Sequence, residues 1–141
     1  MPDTRYIIST NQARLDLPWV KAMMRASYWG ERLTDEQIEG SLKNSLCFGL
    51  YAISRTLPSP KQVGFARVVT DWHTFSSVMD VIVDPEYRGR GLGTKLMREV
   101  AEHRAVACTI SILATRYAST LYARFGWRST KQNVMVRNPD Y

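Results

Sequence analysis

The order of strand-like and helix-like segments along these 141 residues predicts a mixed α/β fold. Three observations carry that expectation. Runs rich in β-branched and aromatic residues alternate with segments whose apolar residues recur every three to four positions. One such run, Val81-Ile82-Val83, leads through a glycine-rich stretch, Arg88-Gly89-Arg90-Gly91-Leu92-Gly93, into a helical stripe of Leu92, Leu96, Met97 and Val100. A length of 141 residues at 45% hydrophobic content suffices for one sizeable core and is short for two ordinary domains, so residues 1–141 are expected to form a single domain.

Taken in order, Arg5-Tyr6-Ile7-Ile8-Ser9 reads as a first strand. Asp16 is placed to cap a helix running to about Ser27, which buries some of Trp19, Val20, Met23 and Met24. A turn at Gly30 precedes Thr34-Asp35-Glu36-Gln37, a capping-box sequence, and Ile38 and Leu42 carry a second helical stripe to about Asn44. Phe48 to Ile53 and Gln62 to Val69 are β-rich runs joined by Leu57-Pro58-Ser59-Pro60, a hairpin loop. A strand from about Ser76 to Val83 leads into the glycine-rich stretch. Further elements are expected as a helix from about Gly91 to His103, a strand through Ala114, a short helix from about Ala118 to Phe125 and a last strand near Asn133 to Arg137.

The N-terminus lacks a basic region followed by a long apolar segment, and no run approaches the ~20 apolar residues of a membrane span. A soluble, cytoplasmic protein without membrane partners is the expectation. Cys47 and Cys108 both lie in strand-like surroundings and read as reduced, buried small residues. His73 and His103 lack metal spacing with either cysteine, so no metal is expected, and no G-x-S-x-G elbow suggests a serine triad. The formal net charge of +6 does not take the form of a long basic and aromatic stretch. Arg88, Arg90, Lys95 and Arg98 gather around the glycine-rich loop, which suits an anionic cofactor better than nucleic acid.

A strand feeding a glycine turn that opens a helix collects unpaired backbone N–H groups, the positive end of a helix dipole and two guanidinium groups in one place. Three glycines at alternate positions permit positive φ and keep Cβ atoms away from a phosphate oxygen, while Arg88 and Arg90 offer forked, permanently charged donors. Thr94 stands where a dinucleotide fingerprint would need its third glycine, and no glycine here is followed by Lys as a P-loop requires. The plainer alternative is a strand-to-helix turn with two solvated arginines.

The R-x-x-G-x-G pattern of Arg88, Gly91 and Gly93 after a strand ending at Val83 resembles the acetyl-CoA pyrophosphate loop of the GNAT superfamily of N-acetyltransferases. Downstream, Thr109 to Ala114 resembles the following strand, and Ala118-x-x-Leu121-Tyr122-x-x-Phe125-Gly126-Trp127 resembles the family helix that carries a tyrosine before an aromatic-flanked glycine. The resemblance runs from Val78 to Trp127. It implies a central, mixed but mostly antiparallel twisted sheet flanked by helices and splayed between its fourth and fifth strands. It also implies acetyl-CoA as cosubstrate, with Val81, Ile82 and Val83 holding the acetyl and pantetheine amides. Arg88, Gly89, Arg90, Gly91, Leu92, Gly93 and Thr94 would hold the pyrophosphate. In many relatives an Asn stands seven residues before the tyrosine; here the residue is Thr115, a shorter hydrogen-bonding side chain.

Acetyl transfer from a thioester to an amine requires loss of the amine proton, N–H donors for the developing oxyanion and a proton for the departing thiolate. Tyr122 is the candidate acid, since a phenol of ordinary pKa ~10 stays protonated at neutral pH; alternatively it is a core member of the stripe Ala118, Leu121, Tyr122, Phe125. Asp80 interrupts an apolar strand, which suggests a wet cleft where it accepts the amine proton or binds the ammonium, or an ion pair with an arginine such as Arg67. Asp71, before Trp72 and His73, is either an acceptor-site residue or a turn cap. Tyr28 and Trp29 fall where the family often shapes its acceptor pocket, and ordinary aromatic packing is the alternative.

The resulting expectation is an acetyl-CoA-dependent N-acetyltransferase acting on a primary amine of a small molecule or peptide by direct attack in a ternary complex. A catalytically weak acyl-CoA-binding regulatory module is the alternative. The resemblance makes a homodimer reasonable.

Overall fold

In the computed structural model, which describes residues 3–115 and 119–137, the β-rich runs pair in chain order into one five-stranded sheet. Its strands are β1 (Arg5–Ser9), β2 (Leu46–Ile53), β3 (Lys61–Thr70), β4 (Phe75–Val83) and β5 (Ile110–Leu113). The first four are antiparallel neighbours. β5 arrives by a helical crossover and lies parallel to β4, as a strand returning through a helix does. The sheet is therefore mixed and mostly antiparallel.

Helices cover the sheet from both sides because β2 and β3 carry apolar side chains on both. On one face, Val20 and Met24 of α1 (Leu17–Ala26) and Ile38 and Leu42 of α2 (Asp35–Lys43) bury Cys47, Phe65 and Ile82. On the other, Leu96, Met97 and Val100 of α3 (Leu92–Glu102) and Val106 of α4 (Arg104–Ala107) bury Phe48, Ala66, Val68 and Val78. A third cluster gathers Leu50, Ala52 and Val63 with Tyr87 and Leu92, tying the β2–β3 hairpin to the start of α3. A short helix, α5 (Ser119–Ala123), packs Leu121 and Tyr122 against the α3 side.

Local signals start the helices where the sequence places them. Asp16 accepts the Trp19 N–H at 3.2 Å and caps α1, with Pro18 in its first turn. The Thr34 hydroxyl accepts from the Gln37 N–H while the Gln37 side chain accepts from the Thr34 N–H, a reciprocal capping box on α2.

Two expectations need correction. The run from Asn133 to Arg137 forms no strand, and Val134, Met135 and Val136 stand exposed. β-propensity describes fit to a half-buried surface, and no described strand lies beside this run to supply one. Cys108 is exposed rather than buried, because the unforeseen turn of α4 intervenes and leaves it at that helix's C-terminus, before β5 begins. Cys47 is buried in β2, and burial pushes its thiol up to about 11. Among the described residues no helix is long and apolar enough to cross a membrane. The expected short helix begins within the described residues at Ser119; Ala118 lies outside them.

Two glycines predict opposite outcomes for one substitution. A Cβ on Gly30 would sit 1.9 Å from the Met24 carbonyl oxygen, whereas on Gly40, inside α2, it would meet nothing within 4 Å. Gly30→Ala is expected to lower stability by roughly 1–3 kcal/mol. Gly40→Ala should raise it by up to about 1 kcal/mol, because alanine is the better helix former. Urea unfolding midpoints of the two variants check the signs.

Candidate active site

The site begins with one extra residue in β4. Pairing with β3 runs Gly64↔Val83 and Phe65↔Ile82, then resumes at Arg67↔Met79, so β4 takes three steps where β3 takes two. The surplus is a bulge, and Asp80 within it adopts the left-handed region at φ 54°. Met79 and Ile82, three positions apart, consequently pair with Arg67 and Phe65 on the same sheet face.

On its other side β4 pairs with β5 only from Phe75↔Ile110 to Val78↔Leu113. β5 ends at Leu113, opposite Val78, and the β5-facing backbone groups of residues 79–83 have no strand partner among the described residues. The β4 edge is thus open where the resemblance places a splay between the fourth and fifth strands. Val81 and Val83 turn their side chains into the apolar clusters and Ile82 is buried, which leaves backbone rather than side chain to line the opening.

Asp80 holds the bulge through a buried ion pair. Its carboxylate, 3% exposed, accepts from the Arg67 Nε at 2.7 Å. The same guanidinium donates to Ser45 Oγ at 3.1 Å and touches Met79 Sδ at 3.5 Å. Of the two readings of Asp80, this geometry favours the ion pair, because the buried carboxylate is engaged by the Arg67 guanidinium across the strands.

β4 then runs into the glycine-rich loop. Asp84 takes the Glu86 N–H at 3.0 Å and the Trp19 indole N–H at 3.3 Å, forming a one-turn 3₁₀ helix over Pro85–Tyr87. Arg88 donates from Nε to the Val83 carbonyl at 3.3 Å. Arg90 lies over the buried Tyr87 ring, 5.0 Å from its centroid, and donates to Tyr6 Oη and the Glu86 carbonyl. Gly89 and Gly91 adopt φ 78° and 72°, and a Cβ on either would meet nothing within 4 Å, so the space before them is open. α3 starts at Gly91 without a side-chain cap and without an acidic residue in its first turn. Its amides at Leu92, Gly93 and Thr94 are thus offered outward, the donor set a pyrophosphate needs. Gly93 also serves packing, since its Cβ position lies 3.5 Å from Leu121 of α5.

Tyr122 on α5 is half-buried against the core of the α3 side. Burial, and then the neighbouring Tyr28 phenol, push its pKa up. Two sequence candidates from distant parts of the chain are thereby brought together. Tyr28 is 50% exposed and meets Trp29 edge to face at 4.9 Å, so this pair in the link between α1 and α2 is surface rather than core. Asp71 is not brought to the site. It closes the β3–β4 turn, where its carboxylate accepts from the N–H groups of His73, Thr74 and Phe75 and from the Thr74 hydroxyl. Those bonds, the Thr74 hydroxyl foremost, hold it well below the usual carboxylate range. Trp72 in the same turn has φ 69° and lies under the Arg104 guanidinium.

Sequence reading missed the Tyr6 and Tyr87 contacts of Arg90 and the Lys61 ammonium over the same Tyr87 ring. Asp84-Pro85 was a readable start signal for the turn that positions Tyr87, but contact with Tyr6 spans 84 residues and has no local signature.

Comparison with known proteins places this geometry in a family. The acetyltransferase (GNAT) domain family matches residues 50–129. A GNAT-family protein of Xanthomonas campestris pv. campestris has a structure that superposes with a TM-score of 0.83 at 32% identity, covering 94% of this chain and 92% of that one. The GCN5-related N-acetyltransferase 2 of Arabidopsis thaliana is 30% identical over 77 residues, 52% of this chain. Ribosomal-protein-S18-alanine N-acetyltransferase of Escherichia coli shares the fold at a TM-score of 0.64 and 19% identity, covering 86% of this chain and 77% of that one. The chain belongs to the GNAT acetyltransferase family. It spans 63%, 30% and 56% of the lengths of three curated relatives it matches.

The ion pair gives a direct prediction. Asn tolerates the left-handed region nearly as well as Asp, so Asp80→Asn removes charge without adding backbone strain. It is expected to cost about 3 kcal/mol by leaving Arg67 buried and unpaired. Arg67→Met together with Asp80→Asn should recover part of that loss, as read from denaturant unfolding of both variants.

Proposed function

We propose that this chain transfers the acetyl group of acetyl-CoA to a primary amine of a small molecule or peptide, by direct attack in a ternary complex. The observation that carries the reading is the coincidence, at one end of β4, of an open strand edge, an uncapped helix start with two arginines beside it, and a half-buried phenol. Family membership supports it, since acetyl-CoA is the usual cosubstrate of these domains.

When bound, acetyl-CoA supplies an acetyl thioester. The chain's own residues do the rest. Arg88, Arg90 and the amides from Gly89 to Thr94 hold the pyrophosphate with charged donors and a helix N-terminus. Backbone groups of Val81, Ile82 and Val83 hold the acetyl and pantetheine amides along the strand edge that β5 leaves open. An N–H from that edge is already fixed in direction by the sheet, so it stabilises negative charge on the acyl oxygen without reorganising. Tyr122, protonated at neutral pH like any phenol, gives its proton to the departing sulfur, and the proton that the attacking nitrogen loses to solvent is matched by the one that restores the phenol. Asp80 fixes the bulge that aims these groups, and Tyr28 and Trp29 shape the acceptor's entrance. Asp71 supports the far turn instead of the acceptor.

Calorimetric titration in moderate salt tests the cosubstrate. Acetyl-CoA and coenzyme A should bind with preference over ATP, and Arg88→Ala should weaken both about tenfold, the loss of one charge-assisted contact. Equal binding of ATP, or no saturable binding of either coenzyme, would count against the loop assignment.

Tyr122→Phe is expected to lower kcat roughly 10²-fold or more while leaving acetyl-CoA affinity within about twofold. In the wild type, the phenol is the active form, so activity attributable to it persists up to its raised pKa and falls as pH rises through that value. Steady-state kinetics over an amine panel, with the alkaline limb compared between the wild-type and Tyr122→Phe enzymes, checks both points.

A further inference from the structure

Five large apolar side chains stand exposed on one face of the sheet: Val69, Phe75, Met79, Ile110 and Ile112. Register brings them together, since paired residues project to the same side. Cys47 pairs with Arg67, Arg67 with Met79, Val69 with Ser77, Ser77 with Ile112 and Phe75 with Ile110. Cys47 is buried by α1 and α2, so this is the face those helices cover, and they leave its β3–β5 end bare. The patch spans three strands and the length of β4 from Phe75 to Met79, roughly 10 Å by 13 Å. That footprint is far below the ~800 Å² that each partner of a stable protein interface buries, and it suits the body of a small molecule or one large side chain.

The strands beneath the patch offer little free charge. β3, β4 and β5 carry one carboxylate between them, Asp80, and it is bound to Arg67. Asp71, in the turn beyond, already accepts from four donors of that turn. Arg67, the cation at the border of the patch, is engaged by Asp80 and Ser45. An acceptor carrying several ammonium groups or many hydroxyls would give up water here without finding partners, whereas an apolar body gains by leaving water.

The patch borders the opening that the acetyltransferase reading uses, and the inference rests on that reading. Met79 begins the stretch of β4 that runs past the end of β5, two residues and at most about 7 Å before Val81. The glycine-rich loop leads into α3, which packs on the other face, so a cofactor held there leaves the α1 and α2 face for the acceptor. The link between those two helices adds Tyr28 and Trp29, exposed rings that meet edge to face. We propose that the acceptor is a primary amine on an uncharged apolar body, aliphatic or aromatic, which lies on Val69, Met79 and Ile112 while its amine reaches the acyl carbon beside Val81. The nitrogen attacks as the neutral amine, and the C–N bond forms as the C–S bond breaks. The sulfur takes the Tyr122 proton, the nitrogen releases one proton to solvent, and solvent restores the phenol, leaving an amide and a free thiol.

Steady-state kinetics with acetyl-CoA and three amines test the class: phenethylamine, with an apolar body; glucosamine, with a polar body; and spermidine, with several ammonium groups. The kcat/KM of phenethylamine is expected to exceed that of the other two by about 10²-fold or more. Ile112→Asp, at a side chain half-exposed in the single chain, should lower the phenethylamine value roughly tenfold, chiefly through KM, and raise that of spermidine, while the Kd of acetyl-CoA stays within about twofold. Equal or faster turnover of glucosamine or spermidine overturns the apolar class and leaves acetyl transfer standing. Turnover of none of the three overturns it as well, and coenzyme binding in the calorimeter then decides whether the acetyltransferase reading falls with it. A mass that changes in Ile112→Asp by light scattering, with amine selectivity unmoved, assigns the patch to a second copy and overturns the proposal.

Discussion

Asp80 sits in the left-handed region within a strand, at a cost of roughly 1–2 kcal/mol for a residue with a Cβ, and the rest of the site follows from how that position is held. The ion pair with Arg67 crosses from β4 to β3, is almost wholly removed from water and is steadied by Ser45. Such a pair adds little net stability compared with apolar residues of equal volume, since desolvation offsets most of the attraction. What it supplies is position. A one-residue slip would turn every side chain of β4 to the wrong face, and the bulge confines that change to Asp80. β4 stays paired with β3 on both sides of the bulge, its register moved by one residue across it, while its other edge runs past the end of β5.

That open edge joins the glycine loop to the phenol. Where β4 passes the end of β5, it presents backbone instead of side chains, and its last residues enter a loop held by the Asp84 cap and the buried Tyr87 ring. Arg90 is stacked and hydrogen-bonded within the chain, and Gly89 and Gly91 keep the approach to α3 clear. A loop already ordered in this way loses less conformational entropy on binding than a mobile pair of arginines would. α5 brings Tyr122 near Tyr28 while packing it on the α3 side of the core, and burial favours the protonated phenol.

Much of this organisation was legible in single residues. The Thr34–Gln37 capping box, the Asp16 cap and the glycine-rich helix start all act within a few positions, and the helices they open begin within a residue or two of their expected starts. The roles proposed for Tyr122 and the loop came through a resemblance rather than through periodicity. The failures share a cause. Cys108 reads as a strand residue until the one-turn α4 moves it out, and residues 133–137 read as a strand although none of the described strands lies beside them. Asp80 and Asp71 each had two readings that only their partners could separate, a guanidinium on the next strand for one and the donors of its own turn for the other.

By itself, the sequence determined most of the elements and their order, the starts of the helices and the open backbone of the glycine-rich loop, because caps, glycine backbone freedom and apolar periodicity are local properties. Tertiary structure alone decided where β4 bulges, where it leaves β5, which carboxylate is committed to an ion pair and which apolar surface is left bare. Those outcomes depend on pairing between strands and on burial against distant helices. No short stretch of chain contains the partner that sets them.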